Sequence, residues 1–198
     1  MIKRAFDVCF AVCALLALAP VLIAAALWIK LDSRGPVLFR QQRVGWHGRP
    51  FAILKLRTMR VDAPAGALGI TVGADPRITR AGVFLRRYKL DELPQFFNVL
   101  RGEMSVVGPR PELPRYVATY PSGLREVVLS VRPGITDPGS LFYRDEAALL
   151  ATAQNPESFY TDIVLPVKLE FAARYVQSRS LREDIRIVLR TAVAVLRL

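Results

Sequence analysis

Two adjacent carboxylates, Asp91 and Glu92, are the groups in this sequence best suited to chemistry. They lie in the stretch KLDELPQ at residues 89–95, ahead of an apolar segment with helical periodicity. Because proline is tolerated in the first turn of a helix, Pro94 predicts that Asp91 stands near the N-cap. The helix dipole would then lower the pKa of Asp91 and keep it ionised beside Glu92. Such a carboxylate can be a metal ligand or a nucleophile, and simple helix capping is the alternative.

Basic residues surround this pair in the sequence. Arg110 follows it between two prolines, in the stretch GPRP at residues 108–111, and prolines leave it little conformational freedom. Cations gathered around two carboxylates are typical of a site for phosphates and a divalent ion, and Mg²⁺ needs only one or two carboxylates besides those phosphates. No Walker A or G-x-G-x-x-G motif is present, so a P-loop is unsupported. The basic residues that precede the pair are Arg77, Arg80, Arg86, Arg87 and Lys89.

The composition limits the other kinds of chemistry. The 198 residues include 28 Lys and Arg against 17 Asp and Glu, which gives a net charge of +11. The only histidine is His47, which excludes a His-rich metal site and makes a Ser-His-Asp triad improbable. Cys9 and Cys13 lie in an apolar run and exclude a disulfide scaffold. The positive excess is concentrated in residues 1–60, which favours an anionic membrane surface or phosphate-bearing substrates over nucleic acid.

An uncharged run at residues 8–29 predicts a membrane segment. As a straight helix it would rise roughly 33 Å, enough to cross a bilayer core of about 30 Å. Pro20 divides it into halves too short to span, and Lys or Arg residues flank both sides. These features favour a re-entrant helix that comprises residues 1–30 and is bent at Pro20. Both of its flanks would lie on the cytoplasmic side. An ordinary signal anchor with a tolerated proline is the alternative.

The remaining residues, 31–198, are predicted to form one α+β domain at the cytoplasmic face, mostly helical with a small β-hairpin. Residues 37–43 and 51–59 predict the hairpin, and 62–76 a mobile loop. Helical patterns cover 79–88, 91–100, 113–120, 124–131, 145–153 and 160–177, and residues 132–136 predict a turn.

The last helix has the pattern of an amphipathic segment. Ser180 and Glu183 form a capping box, and Arg182, Arg186 and Arg190 recur every four residues beside an apolar stripe. Such a helix either lies in a membrane interface or packs on the domain. The stripe consists of Leu181, Ile185, Val188, Leu189, Ala192, Val195 and Leu196.

Five short motifs together resemble the bacterial sugar transferase family. They are GPVLFRQ at 35–41, KLRTM at 55–59, LDELPQ at 90–95, GPRP at 108–111 and RPGIT at 132–136. They occur in the order typical of the monotopic polyprenyl-phosphate phosphoglycosyl transferases, which begin O-antigen, capsule, exopolysaccharide and glycoprotein glycan synthesis. The resemblance covers roughly residues 1–140, and the length resembles that of the small members that consist of the catalytic domain only.

The resemblance implies a two-step reaction at the bacterial inner membrane. Asp91 matches the family's nucleophile and would take the phosphosugar from a UDP-sugar, releasing UMP, before polyprenyl (undecaprenyl) phosphate collects it. Glu92 would help to hold Mg²⁺, with Asp91 as the other metal ligand, or activate the incoming phosphate. The resemblance implies membrane lipid as a partner and no nucleic acid, and both a monomer and a homodimer are compatible with it. The basic positions expected near the phosphates are Lys55, Arg86, Arg110 and Arg132.

Two departures from the family pattern affect what is carried over. Many members have Ser-Pro at the membrane-helix kink, whereas this chain has Ala19-Pro20. Residues 137–146, DPGSLFYRDE, replace a stretch that contains Trp, Gln, Asn and Gly in many relatives, so the identity of the sugar is not carried over. The alternative function is a non-catalytic membrane-anchored adaptor that binds anionic lipid through residues 77–89. A nucleic-acid-binding module would be expected to show a stacking-aromatic pattern, which the sequence lacks.

Overall fold

The computed structural model describes residues 1–61 and 70–196, and this part of the chain is mostly helical with two small two-stranded sheets. The elements, in order, are α1 (Ile2–Asp32), β1 (Leu38–Val44), β2 (Pro50–Leu56), α2 (Arg80–Arg87), α3 (Gln95–Arg101), β3 (Ser105–Val107), α4 (Pro114–Val117), α5 (Ser122–Leu129), β4 (Gly134–Thr136), α6 (Pro138–Phe142), α7 (Glu146–Ala151), α8 (Pro156–Phe159), α9 (Leu165–Ser178) and α10 (Leu181–Leu196).

The predicted hairpin is confirmed. Strands β1 and β2 pair antiparallel from Leu38 opposite Leu56 to Val44 opposite Pro50. Their loop is a 3₁₀ turn in which His47 has a left-handed φ of 54°. Since β1 is largely exposed and β2 largely buried, the hairpin lies on the domain through β2.

The second sheet was not predicted. Strands β3 and β4 are parallel, and each is only three residues long. Residues 132–136, predicted as a turn, therefore contain β4. The backbone at Gly134, in β4, lies close to the backbone at Gly108, just after β3. A Cβ on Gly134 would lie 2.1 Å from the backbone nitrogen of Gly108. Only glycine allows backbones to come so near.

Helix α1 continues without interruption through Pro20. Among the described residues it is the one helix long and apolar enough to cross a membrane, with a mean hydropathy of 2.7 in a window that is 11% buried. Its first turns pack on the core around Val99 and Met104, and its last turns pack on Leu56 and Leu85. Both ends of α1 therefore contact the same domain. The re-entrant path itself stays a prediction.

Most predicted helices are present, with shifted boundaries. α2 begins after Thr79, whose hydroxyl accepts a hydrogen bond from the Gly82 N–H, and α9 follows a π-helical turn at Tyr160–Val164. The part of the predicted loop at 62–69 lies outside the described residues, and 70–79 has no helix or strand longer than a single bridge.

The predicted capping box of α10 is confirmed, because the Ser180 hydroxyl accepts a hydrogen bond from the Glu183 N–H. The helix has two apolar faces. Ile187 is buried against the domain, while the face that carries Leu181, Ile185 and Leu189 remains exposed. Both alternatives for this helix therefore describe part of it: it packs on the domain and still presents an apolar stripe beside its arginines.

Candidate active site

Strand β2 carries Lys55 to the carboxylate pair. Its neighbours Leu54 and Leu56 are buried, so the strand is fixed on both sides of the lysine. The Lys55 ammonium donates a hydrogen bond of 2.6 Å to Oε1 of Glu92. Burial lowers the pKa of Lys55, whereas the charge of Glu92 acts in the opposite direction. Lys55 is thus a largely buried cation in direct contact with the predicted site.

Asp91 and Glu92 lie on a 3₁₀ turn, Leu90–Glu92, that precedes α3. Lys89 enters this turn with a left-handed φ of 55°, which is uncommon for a residue with a side chain. The N-cap position of α3 is occupied by Pro94. Asp91, predicted near the N-cap, lies three residues before it, because the pair folds as a separate turn before the helix begins.

Glu92 joins two cations. Its Oε1 atom accepts hydrogen bonds from Lys55, at 2.6 Å, and from Arg110, at 3.0 Å. Burial opposes ionisation of Glu92, but Arg110 and Lys55 outweigh burial and hold the pKa of Glu92 well below its usual range. The same contact raises the pKa of Arg110. Glu92 therefore favours its ionised form and aligns two cations beside Asp91.

The pKa of Asp91 is shifted in the opposite direction to that of Glu92. Asp91 is 8% exposed, and burial raises the pKa of its carboxyl although Lys55 and Arg86 act against this. The expectation of a lowered pKa for Asp91 is wrong, because desolvation replaces the helix dipole as the dominant influence. Within residues 1–61 and 70–196, no hydrogen bond or ion pair reaches its carboxylate. Asp91 thus keeps its oxygens available for a reacting group.

Arg110 owes its position to the close approach of Gly108, next to β3, and Gly134, the first residue of β4. The Gly134 N–H donates to the carbonyl of Pro109 over 2.9 Å, and the Gly108 N–H donates to the carbonyl of Thr136. These bonds fix the backbone on the N-terminal side of Arg110. The predicted turn at 132–136 thereby contributes to the site through its backbone.

Arg86 extends from α2 towards the pair. Its Nε donates to the hydroxyl of Thr58, at 2.8 Å, and its Nη1 to the hydroxyl of Thr71, at 2.9 Å. Burial lowers the pKa of Arg86, and Asp91 counteracts that effect. Because its described hydrogen bonds go to hydroxyls, its charge is not neutralised by a direct carboxylate contact, and it can attract a phosphate.

Arg132 is placed differently from the other predicted phosphate-binding residues. Its guanidinium stacks on the ring of Trp46, 4.3 Å from the ring centroid, and its Nε donates to the carbonyl of Gly102. Trp46 in turn donates to the carbonyl of Ser130. The structure therefore brings Asp91, Glu92, Lys55, Arg110 and Arg86 together, whereas the described contacts of Arg132 hold the tip of the hairpin.

Three polar residues near these groups were not singled out by the sequence. Thr58 lies in the KLRTM motif and could have been found there, but Thr71 lies in the predicted loop and gave no signal. Glu112, two residues after Arg110, is buried and accepts a hydrogen bond from the Tyr160 hydroxyl at 2.8 Å. Its charge contributes to the raised pKa of Arg110.

The carboxylate pair suits a divalent ion whose coordination is completed by phosphates. Among residues 1–61 and 70–196, no three or more His, Cys, Asp or Glu side chains form a group that could hold a metal by themselves. Two adjacent carboxylates suit Mg²⁺, which accepts few protein ligands when phosphates complete its coordination. Asp91 fits this role better than Glu92, whose Oε1 is already engaged by two cations.

Comparison with known proteins places these residues in context. The sequence model of the family described as "Bacterial sugar transferase" matches residues 1–198. The chain is 39% identical over 194 residues to the UDP-glucose:undecaprenyl-phosphate glucose-1-phosphate transferase of Escherichia coli (strain K12), covering 96% of this chain and 39% of that protein.

Two further relatives carry related names. The undecaprenyl-phosphate glucose phosphotransferase of Komagataeibacter xylinus is 52% identical over 140 residues, covering 68% of this chain and 26% of that protein. The UDP-N-acetylgalactosamine-undecaprenyl-phosphate N-acetylgalactosaminephosphotransferase of Aeromonas hydrophila is 36% identical over 196 residues, covering 98% of this chain and 44% of that protein. The chain thus spans less than half the length of these three relatives.

Proposed function

We propose, since the chain belongs to the bacterial sugar transferase family, that it transfers a sugar-1-phosphate from a UDP-sugar to polyprenyl (undecaprenyl) phosphate and releases UMP. The names of the relatives support this class of reaction. The observation that carries the proposal is the buried, unengaged carboxylate of Asp91 beside the Lys55–Glu92–Arg110 cluster. Phosphoryl transfer depends on such positioned positive charge more than on acid–base groups.

In the first step, an Asp91 oxygen attacks the sugar-bearing phosphorus of the UDP-sugar. A bond forms between that oxygen and the phosphorus, and the bond from the phosphorus to the bridging oxygen breaks. UMP leaves with the bridging oxygen and its electron pair, and the phosphosugar stays on Asp91. Because this attack requires the ionised carboxylate, the cations Lys55 and Arg86, which act against the effect of burial on its pKa, also prepare the nucleophile.

In the second step, an oxygen of the polyprenyl phosphate attacks the same phosphorus. The bond between phosphorus and Asp91 breaks, the carboxylate is restored, and the product is a polyprenyl diphosphate sugar. Lys55, Arg110 and Arg86 would neutralise the charge of the phosphates in both steps. Glu92 would hold Lys55 and Arg110 in place through its Oε1.

Mg²⁺ is the cofactor that we propose for this site. Asp91 and Glu92 would hold it together with substrate phosphates, and the ion would supply additional positive charge near the transferred group. This proposal predicts that EDTA abolishes UMP release and that added Mg²⁺ restores it.

We also propose that α1 enters and leaves the membrane through the cytoplasmic leaflet of the inner membrane. At its start, Arg4 donates to the carbonyls of Val99 and Leu100, and at its end Asp32 accepts from the Ala81 N–H. Both ends are therefore tied to one domain, whereas a spanning helix separates its ends by about 30 Å of hydrocarbon. A cysteine-labelling experiment that found the two ends on opposite sides of the membrane would contradict the re-entrant path.

The exposed stripe of α10 is suited to the same membrane surface. Leu181, Ile185, Leu189 and Val193 are between 37% and 61% exposed, and the arginines at 182, 186 and 190 are exposed beside them. Apolar side chains flanked by arginine are typical of helices that lie in a membrane interface. The active site would then lie at the membrane surface, where both the soluble UDP-sugar and the lipid phosphate can reach it.

The test is an assay of UMP release from a panel of UDP-sugars, with the protein in lipid nanodiscs and with or without polyprenol phosphate. We expect one sugar or a small group of sugars to give multiple turnovers only when the lipid phosphate is present. A non-catalytic adaptor that uses residues 77–89 for anionic lipid would instead bind vesicles in the presence of EDTA and release no UMP with any sugar.

A further inference from the structure

The C-terminal end of α1 is held by Arg57, which directly follows β2. Arg57 is 3% exposed, and its guanidinium donates to the carbonyls of Ser33 at 2.8 Å, Ile29 at 3.4 Å and Arg34. The last turn of a helix leaves carbonyls without partners and carries the negative end of the helix dipole. Ser33 and Arg34 directly follow α1, and the Ile29 carbonyl already accepts a hydrogen bond from the Ser33 N–H. Arg57 therefore mainly fixes the chain where it leaves α1, and its positive charge lies at the negative end of the helix dipole.

A second contact fixes the same end of α1. Oδ2 of Asp32 accepts a hydrogen bond of 3.0 Å from the Ala81 N–H, at the start of α2. α2 itself lies tightly on the strand end, because a Cβ on Gly82 would lie 2.1 Å from the carbonyl oxygen of Thr58. The end of α1, the start of α2 and the end of β2 therefore form one packed junction.

The segment at residues 55–58 links this junction to the proposed active site. Lys55 contacts Glu92, Thr58 accepts a hydrogen bond from Arg86, and Arg57 lies between them in sequence and binds α1. The guanidinium of Arg57 donates to the carbonyls of residues 29, 33 and 34, and its backbone N–H donates to the carbonyl of Val37. The guanidinium has no described hydrogen bond to a residue of the proposed site, so we expect it to act on the site through the end of α1.

We propose that Arg57 is a positioning residue that sets the height of the active site relative to the lipid-embedded part of α1. The inference rests on the proposed function and concerns its second step. A UDP-sugar is dissolved in water and can reach the active site at any height above the membrane. The phosphate of a polyprenyl lipid is held at the depth of the headgroups, so only the transfer to lipid depends on the height of the site.

The size of the effect follows from the geometry of reaction. Reacting atoms must approach to about 3–3.5 Å, and a displacement of about 1 Å can lower a rate by about 100-fold. Loss of Arg57 leaves the Lys55–Glu92–Arg110 contacts in place, because none of them includes Arg57. The two steps are therefore expected to respond differently.

The experiment compares the two half-reactions of Arg57→Gln in nanodiscs. Without lipid acceptor, we expect one equivalent of UMP to be released per active site at a rate within about threefold of that of the original chain. With polyprenol phosphate, we expect turnover to fall by about 10- to 100-fold. Arg57→Lys should recover part of the loss, since it restores the charge. Arg174→Gln, at an exposed arginine of α9, is the control and should change neither rate.

Asp32→Ala keeps the inference testable if Arg57→Gln does not fold, as judged by its thermal midpoint. It removes the second contact of the same junction and should show the same selective loss of lipid-dependent turnover. An equal fall of both half-reactions in a folded variant, or no fall in either, would overturn the positioning role. Absence of lipid-independent UMP release from the original chain would instead refute the two-step reaction, and the positioning role with it.

Discussion

Two buried acidic clusters in this protein differ in how their carboxylates are satisfied. At the start of α1, Asp7 accepts hydrogen bonds from the Ser105 hydroxyl at 3.0 and 2.9 Å and from the backbone N–H of the next residue, and it pairs with Lys3. Asp184 accepts from the Tyr175 hydroxyl at 2.6 Å and pairs with the same lysine. Protein donors thus occupy both carboxylates, which join α1, α9, α10 and β3.

The second cluster is the proposed active site. There Glu92 is occupied in the same way by Lys55 and Arg110, but no described residue donates a hydrogen bond to Asp91. Burial raises the pKa of Asp91, whereas that of Glu92 is held low. The comparison indicates that a buried carboxylate with its donors in place stabilises the fold, while a buried carboxylate without them is available for chemistry.

The largest expected effect is that of Asp91→Asn. The amide cannot act as the nucleophile, so UMP release should fall by at least about 1,000-fold. The free energy of unfolding should change by less than about 1 kcal/mol or increase, because the substitution removes a charge that burial disfavours. Single-turnover UMP release and denaturant unfolding measure the two quantities. Asp162→Asn, at an exposed position, is the control. Normal turnover of Asp91→Asn would show that Asp91 is not the nucleophile.

Asp7→Asn should lower the stability of the protein and leave UMP release nearly unchanged, the reverse of Asp91→Asn. The Asp7→Asn substitution leaves the donors around a 2% exposed side chain poorly matched, so the protein should lose about 2–3 kcal/mol of unfolding free energy. UMP release by the folded fraction should stay within about twofold, because Asp7 touches no residue of the proposed site. If Asp7→Asn abolished UMP release while stability was unchanged, the distinction between the two clusters would fail.

Lys55→Met tests the electrostatic state of Asp91. The charge of Lys55 lowers the pKa of Asp91, so its removal should raise that pKa further. The rate of UMP release requires the ionised carboxylate, and its fall at acid pH should therefore move to higher pH in the variant. The pH profile of the lipid-free half-reaction measures this shift, with Arg125→Met as an exposed control. A shift to lower pH would contradict the proposed interaction.

The smallest effect is expected for Arg132→Gln. It removes a cation–π contact with Trp46 and a hydrogen bond to Gly102, which should cost about 1 kcal/mol of stability. UMP release should change by less than about twofold, because the described contacts of Arg132 lie at the hairpin tip. A fall in UMP release of about 100-fold, the loss typical when a group that stabilises transition-state charge is removed, would instead favour the phosphate-binding role implied by the family resemblance.

The sequence predicted those features that depend on nearby residues. The hairpin follows from two apolar segments around a Gly-rich loop, and the start of α10 from the capping box of Ser180 and Glu183. The gathering of Asp91, Glu92 and Arg110 also followed from motifs of adjacent residues. The capping box and the hairpin loop are decided within a few positions of the chain, whereas the contact of Arg110 with Glu92 spans 18 positions and was indicated only by the clustering of charges in the sequence.

Features that depend on tertiary contacts could not be predicted. The pKa of Asp91 is set by burial, and burial is decided by elements far away in sequence. Arg132 and Arg110 both neighbour proline in similar motifs, yet only Arg110 contacts Glu92, because Trp46, more than 80 residues away, holds the other guanidinium. Arg57 lies in the KLRTM motif, but its contacts with the end of α1 could not be predicted for the same reason, and Asp7 gave no signal at all.

The covalent step is tested most directly by mass spectrometry. The protein is mixed with its UDP-sugar and no lipid acceptor, quenched, digested and analysed peptide by peptide. We expect an added sugar phosphate on the peptide that contains Asp91, lost when polyprenol phosphate is added and absent from Asp91→Asn. Release of UMP with no adduct on that peptide, or with the adduct on another residue, would contradict this expectation.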